Sequence, residues 1–153
     1  MTKIEETIRI SDAEWEIMRV VWTKGQVDAT TIEQILGDKM QWKLATIKTL
    51  LGRLVKKEAL KTDQVGKKFI YSANVREDQI LFQATEELFG HICAKKMGSS
   101  LAQIIEDVPL TQADVSLLQD VLARKTVVES IACNCIPGQC QCQHPATQVN
   151  VHQ

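Results

Sequence analysis

Two capped helical patterns, a third helix with a basic face and a lysine-tipped hairpin predict a mainly α protein that begins with a winged helix-turn-helix. A helical pairing segment follows, and the chain closes with a short cysteine-rich, metal-binding tail. The expected divisions are residues 1–74, 75–131 and 132–153.

Ser11-Asp12-Ala13-Glu14 is a capping box, with the hydroxyl at N-cap and the carboxylate at N3. Behind it Trp15, Met18, Val21 and Trp22 recur at helical spacing, which predicts a helix over 12–24 that stops near Gly25, with both tryptophans as core anchors. A second box, Thr30 to Glu33, predicts a short helix carrying Ile32, Ile35 and Leu36 and ending around Gly37.

The third helix, about Leu44 to Lys57, gathers Leu44, Ile47, Leu50, Leu51, Leu54 and Val55 on one broad face. The opposite face carries Ala45, Thr46, Thr49, Gly52, Arg53 and Lys56. Short side chains there allow close approach to a groove, while Arg and Lys reach bases or phosphates. Gly52 costs the helix roughly 1 kcal/mol relative to Ala, which close backbone approach to a partner explains. Leu60 to Ser72 then reads as a hairpin, with strands 60–63 and 67–72 and a turn through Gln64-Val65-Gly66. Three helices and a basic hairpin place the third helix in a DNA major groove and the wing on the backbone. The residues expected to contact DNA are Lys43, Thr46, Lys48, Thr49, Arg53 and Lys56, with Lys67 and Lys68 on the wing.

Charge distribution agrees with this assignment although the total does not. The 153 residues carry a formal net charge of -1, yet the stretch Lys43–Lys68 holds eight basic and two acidic residues. One strongly basic segment lies in an otherwise acidic chain. With 44% hydrophobic and 24% charged residues the composition is globular. No apolar run is long enough to span a membrane and residues 1–10 lack a secretory core, so a cytoplasmic protein without membrane contact is expected.

Beyond Asn74 the pattern is helical and acidic. Residues 76–97 predict a long helix, Leu101 to Glu106 a shorter one, and Thr111 to about Ser130 another, with Pro109 separating the last two. These helices are too few to build a separate core easily. Pairing with a second copy buries their apolar stripes; packing back onto the first domain is the alternative. A homodimer also presents two recognition helices to a palindromic operator.

Cys133, Cys135, Cys140 and Cys142 are spaced C-x-C-x4-C-x-C. In extended chain each C-x-C pair points to one side. Ile136-Pro137-Gly138-Gln139 between the pairs has Pro and Gly where a type II turn wants them. Strand, turn and strand would then gather four sulfurs for a soft metal ion, tetrahedral for Zn(II) or of lower coordination for Cu(I). Cross-hairpin disulfides, Cys135 to Cys140 and Cys133 to Cys142, or a tail without a site are the alternatives. Cys93, in a helical apolar pattern with Phe89 and Ile92, reads as a small buried hydrophobe. His144 and His152 read as solvated tail residues.

Three stretches together resemble a known family: Ile10-Ser11-Asp12-Ala13-Glu14-Trp15-Glu16-Ile17-Met18, Trp42 ahead of Thr46-Ile47-Lys48-Thr49-Leu50-Leu51-Gly52-Arg53-Leu54, and the cysteine tail. They are similar to copper-responsive CopY-type repressors within the penicillinase-repressor (BlaI/MecI) group, over roughly residues 8–142. The resemblance implies a homodimeric repressor of copper-export genes that binds operator DNA with Zn(II) loaded and leaves it when Cu(I) replaces zinc. It also implies a copper chaperone as donor of Cu(I). Two departures stand out: Lys43 follows Trp42 where those repressors often carry a small hydroxyl cap, and the Asn-Phe bond cleaved in penicillinase repressors is absent. A repressor of the same fold that responds to another soft metal or to thiol oxidation is one alternative, because all act through the same sulfurs. A thiolate metal buffer or chaperone without sequence-specific DNA binding is the rival of another class. An enzyme is not expected, because four thiolates leave a zinc ion no open position.

Overall fold

The computed structural model describes residues 7–142, and the chain divides into two compact units between Thr85 and Glu86, inside a helix. In the first unit the Ser11 box forms as expected. Ser11 Oγ accepts from the Glu14 backbone N–H at 3.2 Å, and Glu14 Oε1 accepts from the Ser11 N–H at 2.9 Å. Helix α1, Asp12–Lys24, follows and stops at Gly25, whose φ of 81° no β-carbon favours.

The tryptophans are not the core of α1. Ile17, Met18 and Val21 are fully buried, while Trp15 and Trp22 are only half-buried, with ring centroids 5.8 Å apart. Large rings with a polar edge suit the margin: Trp22 Nε1 donates to the Val75 carbonyl at 3.0 Å, which ties α1 to the chain leaving the wing.

A strand absent from the expected pattern comes next. Strand β1, Gln26–Asp28, is three residues long, below the length at which alternation is legible in sequence. Asp28 at its end, rather than Thr30, caps α2 (Ala29–Met40) by accepting from the Thr31 N–H at 2.8 Å. An aspartate two residues upstream is the better cap. The helix also runs past Gly37 to Met40 and ends at Gln41 in the left-handed region, with the Gln41 and Trp42 N–H groups both donating to the Gly37 carbonyl.

Helix α3, Leu44–Lys56, buries Ile47, Leu50, Leu51 and Leu54. These pack with Ile17, Met18, Val21, Ile32, Leu36 and Leu60 into a single cluster. At roughly 1.5–3 kcal/mol for each fully buried aliphatic side chain, this cluster is the dominant stabilising term of the unit. Strands β2 (Leu60–Val65) and β3 (Lys68–Ala73) pair antiparallel with Val65 opposite Lys68, and β1 pairs on the other side of β3. The hairpin is therefore longer and tighter than expected. Its loop is only Gly66-Lys67, with Gly66 at φ 64°, so Gln64 and Val65 belong to the strand.

Helix α4, Glu77–Phe89, carries the chain into the second unit. The expected single helix over 76–97 does not form. Gly90 follows the last turn, its N–H donating to Glu86 O, and a short 3-10 turn, Ala94–Lys96, intervenes before α5 (Met97–Asp107). Gly90 lowers helix propensity where the chain must bend. Helix α5 exceeds the expected 101–106 at both ends. Helix α6, Gln112–Arg124, is capped by a reciprocal Thr111–Asp114 box and ends earlier than Ser130. No residue of α5 or α6 is buried. Among the described residues no helix is long and apolar enough to cross a membrane.

Candidate nucleic-acid interface and metal centre

The core face of α3 dictates what its other face shows. With Ile47, Leu50, Leu51 and Leu54 turned inward, Ala45, Thr46, Lys48, Thr49, Gly52, Arg53 and Lys56 are all exposed along the outer side. A β-carbon added at Gly52 would meet nothing within 4 Å, so no contact inside the chain requires glycine there. The Thr49 hydroxyl donates to the Ala45 carbonyl at 3.0 Å. Lys43 stands at the helix start as an exposed N-cap residue that makes no side-chain capping bond, as its failure to match the usual hydroxyl suggests.

On the wing, Lys67 occupies the hairpin tip and Lys68 opens β3, both exposed. Lys68 Nζ lies 3.4 Å from Asp28 Oδ2, a solvent-screened pair that holds its ammonium above β1. The Asp28 carboxyl lies below its usual range, first because Thr31 donates to it and then because of Lys68. Lys57 belongs to the basic stretch but not to this surface. Its ammonium donates to buried Glu14 at 2.5 Å and to the Arg9 carbonyl at 2.8 Å.

In the second unit the tail forms its turn, but among the described residues it forms no strands. Gln139 N–H donates to the Ile136 carbonyl at 3.0 Å and Gly138 has φ 99°, as a Pro-Gly type II turn needs, yet no strand pairing flanks it. None of the five cysteines, Cys93 and the four of the tail, is joined in a disulfide among the described residues. Two of the tail sulfurs come close: Cys133 Sγ lies 3.3 Å from Cys140 Sγ, well beyond the roughly 2.05 Å of a disulfide.

Cys93 departs from expectation. It is buried, as a small hydrophobe would be, but against sulfur: its Sγ lies 3.5 Å from both Cys133 Sγ and Cys142 Sγ. Beside it the Ala94 N–H donates to Asn134 Oδ1 at 2.8 Å, so the residue between the first two tail cysteines clasps the segment after Cys93. The helical pattern around Phe89 and Ile92 concealed this role. The visible signal was Gly90, which ends the helix before Cys93 and frees it to turn toward the tail.

Cys93, Cys133, Cys135 and Cys140 place all four sulfurs within 4.8 Å of one another. Ligands at about 2.3 Å from a tetrahedral Zn(II) stand roughly 3.8 Å apart, so small adjustments of these side chains fit such an ion. Thiolate sulfur also suits Cu(I). A Lys95 backbone N–H directed at Cys93 lowers its pKa. Desolvation and the neighbouring sulfurs push Cys135 up to about 12, and sharing with Cys93 and Cys140 does the same to Cys142. Those thiols are protonated at neutral pH and give up protons only as they ligate. His144 and His152 lie outside the described residues.

An exposed basic helix braced by a wing, joined to a thiol cluster able to bind a metal ion, defines a DNA-binding regulator. The chain belongs to the penicillinase repressor family, whose model matches residues 10–124. It is accordingly a transcriptional repressor and not an enzyme. The chain is 44% identical over 141 residues, 91% of its length, to a 16.5 kDa protein of the ptsI 3' region of Latilactobacillus sakei, and covers 97% of that protein. It is 44% identical to the chain of a CopR repressor structure, covering 44% of this chain and 99% of that one with a TM-score of 0.39. It is 36% identical to Bacillus licheniformis BlaI in complex with the blaP half-operator, covering 48% and 89% with a TM-score of 0.43.

Proposed function

We propose that this repressor is metal-responsive: a homodimer that holds a palindromic operator of copper-export genes in its Zn(II)-loaded form and leaves it when Cu(I) takes the sulfurs. The convergence of thiols in the second unit carries the reading, because sulfurs gathered at one place are the ligands that soft metal ions prefer. Thr46, Lys48, Thr49, Arg53 and Lys56 of α3, with Lys43 at its start, face the groove. Lys67 and Lys68 hold the phosphate backbone. The apolar residues that α5 and α6 leave exposed, among them Leu101, Ile104, Leu117 and Val121, pair with a second copy.

Cys133, Cys135, Cys140 and Cys142 are the sulfurs of the tail that take the signal ion, delivered by a copper-donating chaperone. Four thiolates carry the same formal charge with one Zn(II) as with two Cu(I), so release cannot rest on a change in net charge. It rests on shape: the arrangement of the sulfurs differs between the two loaded forms, and the DNA-bound dimer tolerates only one of them.

The test is a mobility shift on a palindromic operator at fixed salt with metal-free, zinc-loaded and Cu(I)-loaded protein. Tight binding with zinc and release with Cu(I) are expected, and C140S should not release. Equal binding by all three forms overturns the metal switch and leaves the repressor. A chain ending at Ala132 that binds as tightly as the zinc form would show that Cu(I) imposes an inactive shape rather than removing an active one.

A further inference from the structure

We infer that Cys93 is itself a metal ligand, completing with Cys133, Cys135 and Cys140 the four-sulfur site that takes a Zn(II)-type ion, while Cys142 is the spare fifth sulfur. The inference rests on reading the cluster as a metal site and changes which residues form it.

Three observations support this membership. The set whose sulfurs all lie within 4.8 Å of one another includes Cys93, and Cys142 is not in it. Cys93 is buried where it meets the tail, which holds a ligand in place and keeps water from competing for the ion. The bond from the Ala94 N–H to Asn134 Oδ1 then holds the two chain segments side by side without any sulfur–sulfur contact, and Cys135 Sγ lies 3.8 Å from the same oxygen. Cysteines brought together by chance at a surface would have no such brace.

The consequence reaches beyond a change of ligand. Cys93 and Cys133 are 40 residues apart, and the chain between them contains α5 and α6. An ion held by the tail alone would order only the Pro-Gly turn. An ion held by Cys93 as well closes a loop around both helices, restricting their freedom much as a cross-link of that length does. Each thiol that ligates releases its proton to solvent, and no electron changes hands. Cys142 Sγ, 3.5 Å from Cys93 Sγ, is near enough to take its place. A two-ion load satisfied by the four tail sulfurs would release Cys93 and open the loop.

The experiment uses the full reduced chain, titrated anaerobically with Co(II), whose thiolate charge-transfer band and d–d spectrum count sulfur ligands. C142S is expected to keep the four-sulfur spectrum of the unaltered protein, and C93S/C142S to drop to three sulfurs with at least tenfold weaker binding against a competing chelator. In the unaltered zinc-loaded protein an alkylating reagent followed by mass mapping should modify Cys142 at least tenfold faster than Cys133, Cys135 or Cys140. A three-sulfur spectrum for C142S, or protection of Cys142 equal to that of the other three, overturns the inference while leaving the metal reading intact. Failure of the unaltered protein to bind Co(II) removes both.

Discussion

Lys57 Nζ lies 2.5 Å from Glu14 Oε1, joining the chain just beyond α3 to the first turn of α1. The Glu14 side chain is 2% exposed and the Lys57 side chain 37%. One carboxylate thus serves as the N3 residue of a capping box and as the buried anchor of the helix that carries the exposed basic face. Because the Ser11 N–H occupies the same oxygen, the start of α1 and the end of α3 are held at one point.

Removing the ammonium should therefore cost more than an exposed pair would. K57M keeps the apolar stem but leaves a buried carboxylate short of its partner, with an expected loss of about 2–3 kcal/mol in urea unfolding. A loss within about 0.5 kcal/mol would place this pair among ordinary surface ion pairs.

The same carboxylate predicts an acid limb. Burial alone would raise the Glu14 pKa, but the Lys57 ammonium and the Ser11 backbone N–H together hold it below 4.5. A folded value below the unfolded one means stability that is present above the unfolded pKa and is lost as pH falls through the folded one. Unfolding free energy should thus decline from roughly pH 5 downward, and E14Q should flatten that decline. An unchanged slope in E14Q would assign the acid sensitivity to other carboxylates.

At Gly52 stability and binding should move in opposite directions. The site is mid-helix, exposed and open, so G52A should raise stability by about 0.5–1 kcal/mol in thermal unfolding. With α3 seated in a groove, the added methyl should also weaken operator binding about fivefold or more. Unchanged affinity would mean that the helix backbone does not approach DNA at this point.

Arg53 is exposed on the same face, half a turn from the core residue Leu51. R53A should weaken operator binding by about 1–3 kcal/mol if the guanidinium reads a base edge. A smaller loss, equal on operator and random DNA, would make it a phosphate contact.

The first helix was legible because a capping box and a 3.6-residue apolar period agree, and α3 because its period is nearly unbroken. Strand β1 was not, since three residues carry no period. The cap of α2 is ambiguous in sequence because Thr30 and Glu33 also fit a capping box, and only the backbone path brings Asp28 to the Thr31 N–H. Lys57 counted as one more positive charge until its burial partner appeared.

By itself the sequence determined the three helices and the hairpin of the first unit, the basic face of α3 and the spacing of the four tail cysteines, because capping, periodicity and turn chemistry act over a few neighbouring residues. Tertiary structure alone decided that Glu14 and Lys57 meet and that Cys93 stands 3.5 Å from Cys133. Those pairs are 43 and 40 residues apart. No local rule reaches that far: the contacts exist only because the core of the first unit and the bend at Gly90 bring distant segments of chain to the same place.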